Sequence, residues 1–298
     1  MCGIVGLFLK DESLRDQTGA MLTDMLVTMS DRGPDSAGIA VYSGSDDGIA
    51  KLTVQSDSAS VDFPALASAI NDRFGADASM STRDTHAVIS LPSDHSGSAR
   101  ALINEDFPGV RIMSRGDAIE IYKEVGLPQS VADRFGIAGM SATHGIGHTR
   151  MATESAVTTE GAHPFSTGPD QCLVHNGSLS NHNSLRRKLR REGLEIESEN
   201  DTEVGAAYLT WRMQQGATLG EALEDAIQAL DGFYTFVVGT KNGFGVLRDP
   251  IACKPAVLAE TDQYVAFGSE YRALVDLPGI ENAKVWEPEP ATVYFWER

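Results

Sequence analysis

The sequence predicts a layered α/β sandwich. Two observations carry that expectation: short strand-like apolar runs recur along most of the chain, and segments with helical spacing lie between them. A third, the Gly-, Pro-, Ser- and Asp-rich breaks between segments, sets the boundaries.

The elements follow in chain order. Residues 2–9 (CGIVGLFL) form a short apolar run ended by Lys10-Asp11-Glu12, which reads as a buried strand. Residues 18–30 place Met21, Leu22, Met25, Leu26 and Met29 at helical spacing, with the methionines as core packing. Asp31-Arg32-Gly33-Pro34-Asp35-Ser36 reads as a turn and 37–42 as the next strand. The stretch 43–141 reads as an inserted α+β unit. Its strands are expected at 50–55, 86–90, 110–115 and 118–123, and its helices at 62–72, 97–105 and 128–135. Beyond it, 143–149 and 171–175 are strand candidates, and Asn181 is placed to cap a helix through Leu185 and Leu189. Asp201 or Thr202 opens another helix, a third covers 219–230, and strands follow at 232–239, 244–248, 255–259, 264–268 and 291–296.

Composition excludes several classes. The 298 residues are 42% hydrophobic and 22% charged, enough for a sizeable core in one large or two ordinary domains. A formal charge of -18 repels phosphate backbones and argues against nucleic-acid binding. Three cysteines (Cys2, Cys172, Cys253) with no C-x-x-C spacing argue against disulfides and zinc and for a reducing compartment. Cys172 and Cys253 read as inert packing residues in apolar surroundings. His86 and His95 read as solvated loop histidines, since no further ligands stand at zinc spacing. The first apolar run is too short to span a bilayer and no basic residue precedes it, so a cytoplasmic protein is expected.

The chemistry begins at Cys2. Loss of Met1 would put its thiol on the same residue as a free α-amine, whose pKa near 8 suits it to take the thiol proton and return it to a leaving amine. His175-Asn176-Gly177 offers a side-chain amide and a backbone N–H, a two-donor oxyanion hole, although Asn-Gly alone is a common hairpin turn. Arg150, in Gly147-His148-Thr149-Arg150-Met151-Ala152-Thr153, stands at a strand end and can hold a carboxylate bidentately; the plain alternative is a surface arginine. Asn200-Asp201-Thr202-Glu203 places carboxylates at a helix start, where capping is the plain alternative. Together these segments complement the carboxylate, ammonium and distal amide of glutamine.

In order, Met1-Cys2-Gly3-Ile4-Val5-Gly6, Arg32-Gly33-Pro34-Asp35-Ser36-Ala37-Gly38, the Arg150 segment, His175-Asn176-Gly177 and Asn200-Asp201-Thr202-Glu203 resemble the class II glutamine amidotransferases, which are amino-terminal-nucleophile hydrolases. Arg248-Asp249-Pro250 and Gly268-Ser269-Glu270 resemble two later markers. The resemblance implies a four-layer αββα sandwich over 2–298, interrupted by the insertion at about 43–141. It implies that Cys2 is the nucleophile and that Asn176 and Gly177 form the oxyanion hole. Arg150 with Thr153 would bind the substrate carboxylate, Asp201 its ammonium, and His163 would line the pocket. Arg32 would support the nucleophile or serve the fold.

Two departures stand out. Asp31 occupies a position where many relatives carry histidine, and the separation of Arg32 from Arg150 is unusually long. The opening and the separate-subunit architecture resemble the small subunit of glutamate-synthase-like and N-methylglutamate-synthase systems. About thirty residues follow Gly268-Ser269-Glu270, and no P-loop or G-x-G-x-x-G is present. Ammonia is therefore expected to pass to a separate synthase subunit in a multisubunit complex. That partner is flavin-dependent in the resembled systems, while this chain needs no cofactor or metal of its own. The alternatives are an amidase acting on another γ-glutamyl amide and a non-catalytic scaffold subunit.

Overall fold

The first apolar run becomes β1 (Gly3–Leu9), buried at every position. In the computed structural model, which describes residues 1–44, 46–57, 61–152 and 156–298, alternation along β1 feeds two cores. Val5, Leu7 and Leu9 face one, Ile4 and Phe8 the other. α1 (Thr18–Thr28) lays Met21, Leu22, Met25 and Leu26 into the first of these. β2 (Ser36–Tyr42) then returns to the sheet.

β3 (Ile49–Gln55), α2 (Phe63–Phe74), β4 (Ser79–Arg83), β5 (His86–Pro92), α3 (Ser96–Asp106) and β6 (Arg111–Gly116) form a separate four-stranded sheet, in the order β4-β5-β3-β6, with a core of its own. β7 (Ile119–Val125) and α4 (Pro128–Phe135) fall inside the stretch expected to be one insertion, but they belong to the main body. β7 pairs with β2 from Ser36↔Val125 to Tyr42↔Ile119. It sends Ile119 and Ile121 into the inter-sheet core, and α4 packs Val131 and Phe135 beside α1. The part with its own sheet is thus 49–116, narrower than 43–141, because the last strand of that stretch satisfies its backbone on β2.

The remaining elements are β8 (His144–Arg150), β9 (Phe165–Gly168), β10 (Gln171–Leu179), α5 (His182–Arg191), α6 (Asp201–Gln214) and α7 (Leu219–Ala229). They are followed by β11 (Gly232–Gly239), β12 (Gly243–Arg248), β13 (Val257–Glu260), β14 (Tyr264–Gly268), β15 (Lys284–Trp286) and β16 (Thr292–Glu297). A seven-stranded sheet, β15-β13-β14-β1-β8-β2-β7, faces a five-stranded one, β16-β12-β11-β10-β9. Ile4, Phe8, Ile146, Val174, Val237 and Phe244 fill the space between them. α1 and α4 cover one outer face and α5 to α7 the other, which makes the four-layer αββα sandwich.

Local chemistry departs from expectation at several points. Asn181 is the N-cap residue of α5, but its side chain makes no cap bond: its Nδ2 donates to Ala229 O at 2.9 Å and its Oδ1 accepts from Asp231 N at 3.1 Å, so it braces the turn into β11. Asn200 caps α6, accepting from Thr202 N at 2.9 Å, which makes Asp201 the first helical residue. The short strands β4 (SMSTR), β9 (FSTG) and β15 (KVW) offer little or no apolar alternation to read. His86 is a buried residue set edge-on against Phe135, not a solvated loop histidine. Cys172 is buried, and burial pushes its thiol up to about 12, but Cys253 is exposed, contrary to its expected packing role. Among the described residues no helix is long and apolar enough to cross a membrane.

Candidate active site

β1 is held centrally in its sheet, between β14 and β8, and its start is fastened from three directions. Ser269 forms a two-way link with Ile4: its hydroxyl accepts from Ile4 N, and its own N–H donates to Ile4 O, both at 2.9 Å. Arg32 Nε donates to Cys2 O at 3.0 Å, and Asn176 Nδ2 donates to the same oxygen at 3.1 Å. Arg32 Nη1 is also paired with Glu270, which binds Arg272 Nε at 2.7 Å. The Arg32 hydrogen bond, with help from both arginine charges, holds the Glu270 carboxyl below its usual range. Gly268-Ser269-Glu270 therefore anchors the strand that follows Cys2. The half-buried Cys2 thiol lies 4.0 Å from Met151 O, and the Met1 ammonium, on an exposed residue, donates to Met151 Sδ at 3.1 Å.

Asn176-Gly177 lies inside β10 and is no hairpin turn: Asn176 faces Thr235 and Gly177 faces Tyr234 on β11. Gly177 has φ +144°, and a Cβ there would stand 2.0 Å from Phe233 O. Only glycine fits that backbone and that approach. The neighbouring Asn176 side chain is thereby directed to the start of β1.

Arg150 ends β8, buried, opposite Ser36, with Nη1 donating to Ala156 O at 3.3 Å. Thr153 lies outside the described residues. Asp201 Oδ2 accepts from Leu179 N at 2.8 Å, and Oδ1 lies 3.6 Å from His175 Nδ1. Burial works to raise this carboxyl, but the neighbouring His175 ring, the Leu179 N–H and His182 outweigh it and bring it down to about 2. The carboxylate is thus ionised at any working pH.

His163 Nε2 and His175 Nδ1 both meet the Thr202 hydroxyl, at 2.7 and 3.0 Å. His148 stacks on His163 with ring centroids 4.0 Å apart. Burial pushes His148 down to about 3, and burial above all pushes His163 well below the ordinary histidine range. Both rings are therefore neutral. The His163 carbonyl needs Gly38 beside it, where a Cβ would come within 2.0 Å.

Cys2, Arg150, His163, Asn176, Gly177 and Asp201 line one open cleft of about 840 Å³. Arg32 is not on its wall and acts through the Cys2 carbonyl. The wall also holds His175, Thr202 and Lys254. His175 and Thr202 sit in motifs that the sequence displays, but their joint contact with His163 spans 39 residues and has no local signal. Lys254, whose ammonium lies 5.1 Å from the Phe233 ring, carries none at all. One thiol, an amide donor beside a strained glycine, a guanidinium and a carboxylate around one cleft can hold an α-amino acid by its head and attack its distal amide.

Residues 148–276 match a family model described as a glutamine amidotransferase domain. Over 297 residues the chain is 63% identical to the glutamine amidotransferase-like protein GlxB of Rhizobium meliloti (strain 1021), covering 100% of this chain and 98% of that one. It is 32% identical over 304 residues to a putative glutamine amidotransferase of Methanothermobacter thermautotrophicus, covering 99% of each. The glutamine–fructose-6-phosphate aminotransferase (isomerizing) of Vibrio vulnificus is 35% identical over 137 residues, 46% of this chain and 22% of that protein. Among solved structures, the glutamine phosphoribosylpyrophosphate amidotransferase from B. subtilis shares the fold, with a TM-score of 0.63 at 18% identity. That alignment covers 99% of this chain and 47% of the other, so the chain spans about half of that protein's length.

Proposed function

The chain belongs to the class II glutamine amidotransferase family, and we propose that Cys2 cleaves the side-chain amide of glutamine and that the ammonia passes to a separate synthase subunit. The observation that supports the first part best is the convergence of Cys2, Asn176, Gly177, Arg150 and Asp201 on a single cleft. In this reading, removal of the exposed Met1 frees the Cys2 α-amine to accept the thiol proton. The thiolate attacks the amide carbon, and the oxygen's developing charge falls to Asn176 Nδ2 and the Gly177 N–H. The amide nitrogen takes the proton and leaves as ammonia, giving a γ-glutamyl thioester. Water then releases glutamate and restores the thiol. Arg150 and Asp201 hold the α-carboxylate and α-ammonium throughout, with His163 at the wall and Thr153 in the segment after Arg150.

The acceptor is assigned by resemblance to a flavin-dependent synthase of glutamate-synthase or N-methylglutamate-synthase type, with no cofactor assigned to this chain. The unit 49–116 is the proposed docking element, since every motif residue lies outside it. Intact-mass measurement of the native subunit, with and without a glutamine-analogue electrophile, tests the chemistry: loss of Met1 and a single adduct on Cys2 are expected, and an unreacted Cys2 overturns it. Turnover of glutamine against γ-glutamyl methylamide identifies the leaving group. Hydrogen exchange of the subunit alone and in its assembly tests the docking element, which fails if only the cleft face gains protection.

A further inference from the structure

Lys123 is a buried charge that the glutamine chemistry above leaves unused. It lies on β7, only 5% exposed. Its ammonium donates to three main-chain carbonyls: Ala162 O at 2.8 Å, Glu160 O at 3.2 Å and Pro164 O at 3.3 Å. The Phe165 ring lies 4.5 Å away. All three N–H groups are thus occupied. An isolated ammonium is costly to bury, and a methionine would fill the same volume without that cost. Burial also draws the Lys123 pKa down to about 8.

The three carbonyls alternate along the chain, and the residues between them, Gly161 and His163, line the cleft. A Cβ on Gly161 would stand 3.2 Å from Arg150 Nη1, and His163 Nε2 reaches Thr202 Oγ1 at 2.7 Å. The next residue of β7 holds the same loop one step earlier: the Thr159 hydroxyl donates to the Glu124 carboxylate. Two consecutive residues of one strand therefore fix the segment 159–164 against the guanidinium assigned to the substrate carboxylate.

We infer that Lys123 is a positioning residue for the amino-acid head group, acting through the 160–164 carbonyls on Gly161, Arg150 and His163. This rests on the glutaminase reading, and its test separates the two. Lys123→Met is compared with the wild type for glutamine kinetics, for calorimetric binding of L-glutamate, which carries the same head group, and for alkylation of Cys2 by iodoacetamide, which does not use that group. The expected result is a rise of about tenfold or more in KM and in the glutamate Kd, with kcat within about threefold and Cys2 alkylation unchanged. Lys123→Ala should share the defect, and millimolar propylammonium, which can occupy the three carbonyls, should restore glutamate binding where tetramethylammonium does not. Thr159→Val, a milder change, should raise the same constants several-fold and serves if the lysine variants do not fold. Wild-type glutamate affinity in Lys123→Met, or in Thr159→Val where only that variant folds, overturns the inference, as does an alkylammonium effect that tetramethylammonium reproduces. A wild-type chain that binds glutamate but does not hydrolyse glutamine counts against the functional reading alone.

Discussion

The side-chain amide of Asn176 donates to the main-chain carbonyl of Cys2 across 3.1 Å, so the residue assigned to the oxyanion also holds the nucleophile in place. An amide nitrogen carries two N–H groups, and this contact does not exhaust it. Asn176→Ala should lower kcat by about 10²–10³, the usual loss for one oxyanion donor. Because the Arg32 bond to the same carbonyl survives, Cys2 should stay in position. Steady-state kinetics check this; a raised KM with normal kcat would contradict the role.

Cys2→Ala should abolish glutaminase activity and leave the fold intact. β1 is secured from Ile4 onward by Ser269 and by its pairing with β8 and β14, none of which uses the thiol. Cys172 cannot replace it, since burial holds its thiol up at about 12. Circular dichroism and ammonia release on the same preparation decide the matter, and retained wild-type turnover sinks the mechanism.

Arg150→Ala should act on glutamine binding, raising KM strongly with a smaller change in kcat. Its guanidinium ends a buried strand, so the thermal midpoint is measured alongside. A kcat loss equal to that of Asn176→Ala would remove Arg150 from the head-group role.

Asp201 gives a pH prediction. Its folded pKa of about 2 lies below the ordinary 3.8, so its ionisation contributes stability above pH 3.8 that is lost as pH falls toward 2. The side chain is 22% exposed, and the shift converts to at most about 2 kcal/mol. Urea unfolding should show Asp201→Asn less stable than wild type at pH 7, with the gap closing below pH 3. The acid limb of kcat/KM above pH 4 should keep its midpoint in this variant, because Asp201 does not titrate there. A shifted midpoint would show that another environment governs the carboxyl.

Gly177→Ala should destabilise the fold by roughly 1–3 kcal/mol from backbone strain, with the Phe233 O clash added. Urea unfolding measures it. An unfolding midpoint equal to wild type would mean that β10 and β11 part easily at this point.

Most of the sandwich was legible because its strands are buried on both faces and read as continuous apolar runs, as in Gly3–Leu9 and Ser36–Tyr42. The site was legible where a motif is contiguous: Cys2, Arg150, Asn176, Gly177 and Asp201 all line one cleft. Two things were not. The Asn176-Gly177 dipeptide looks locally like a turn, and only the register with β11 places it within a strand. The extent of the inserted unit depends on whether β7 pairs with β2 or with β6, a long-range choice that alternation in 119–125 cannot reveal. Lys123 shows the same limit, since its partners are carbonyls, which every residue carries.

The central place of β1 has a consequence for how the molecule folds. β1 has partners at 144–150 and 264–268, so each of its hydrogen-bonding edges is closed by a segment far away in the sequence, one much farther than the other. Ser269, which fastens Ile4, lies just beyond the farther of these partners. Such distant closures are slow. β1 is thus among the last strands to settle, and Cys2 reaches its place in the cleft only once these distant segments have closed around it.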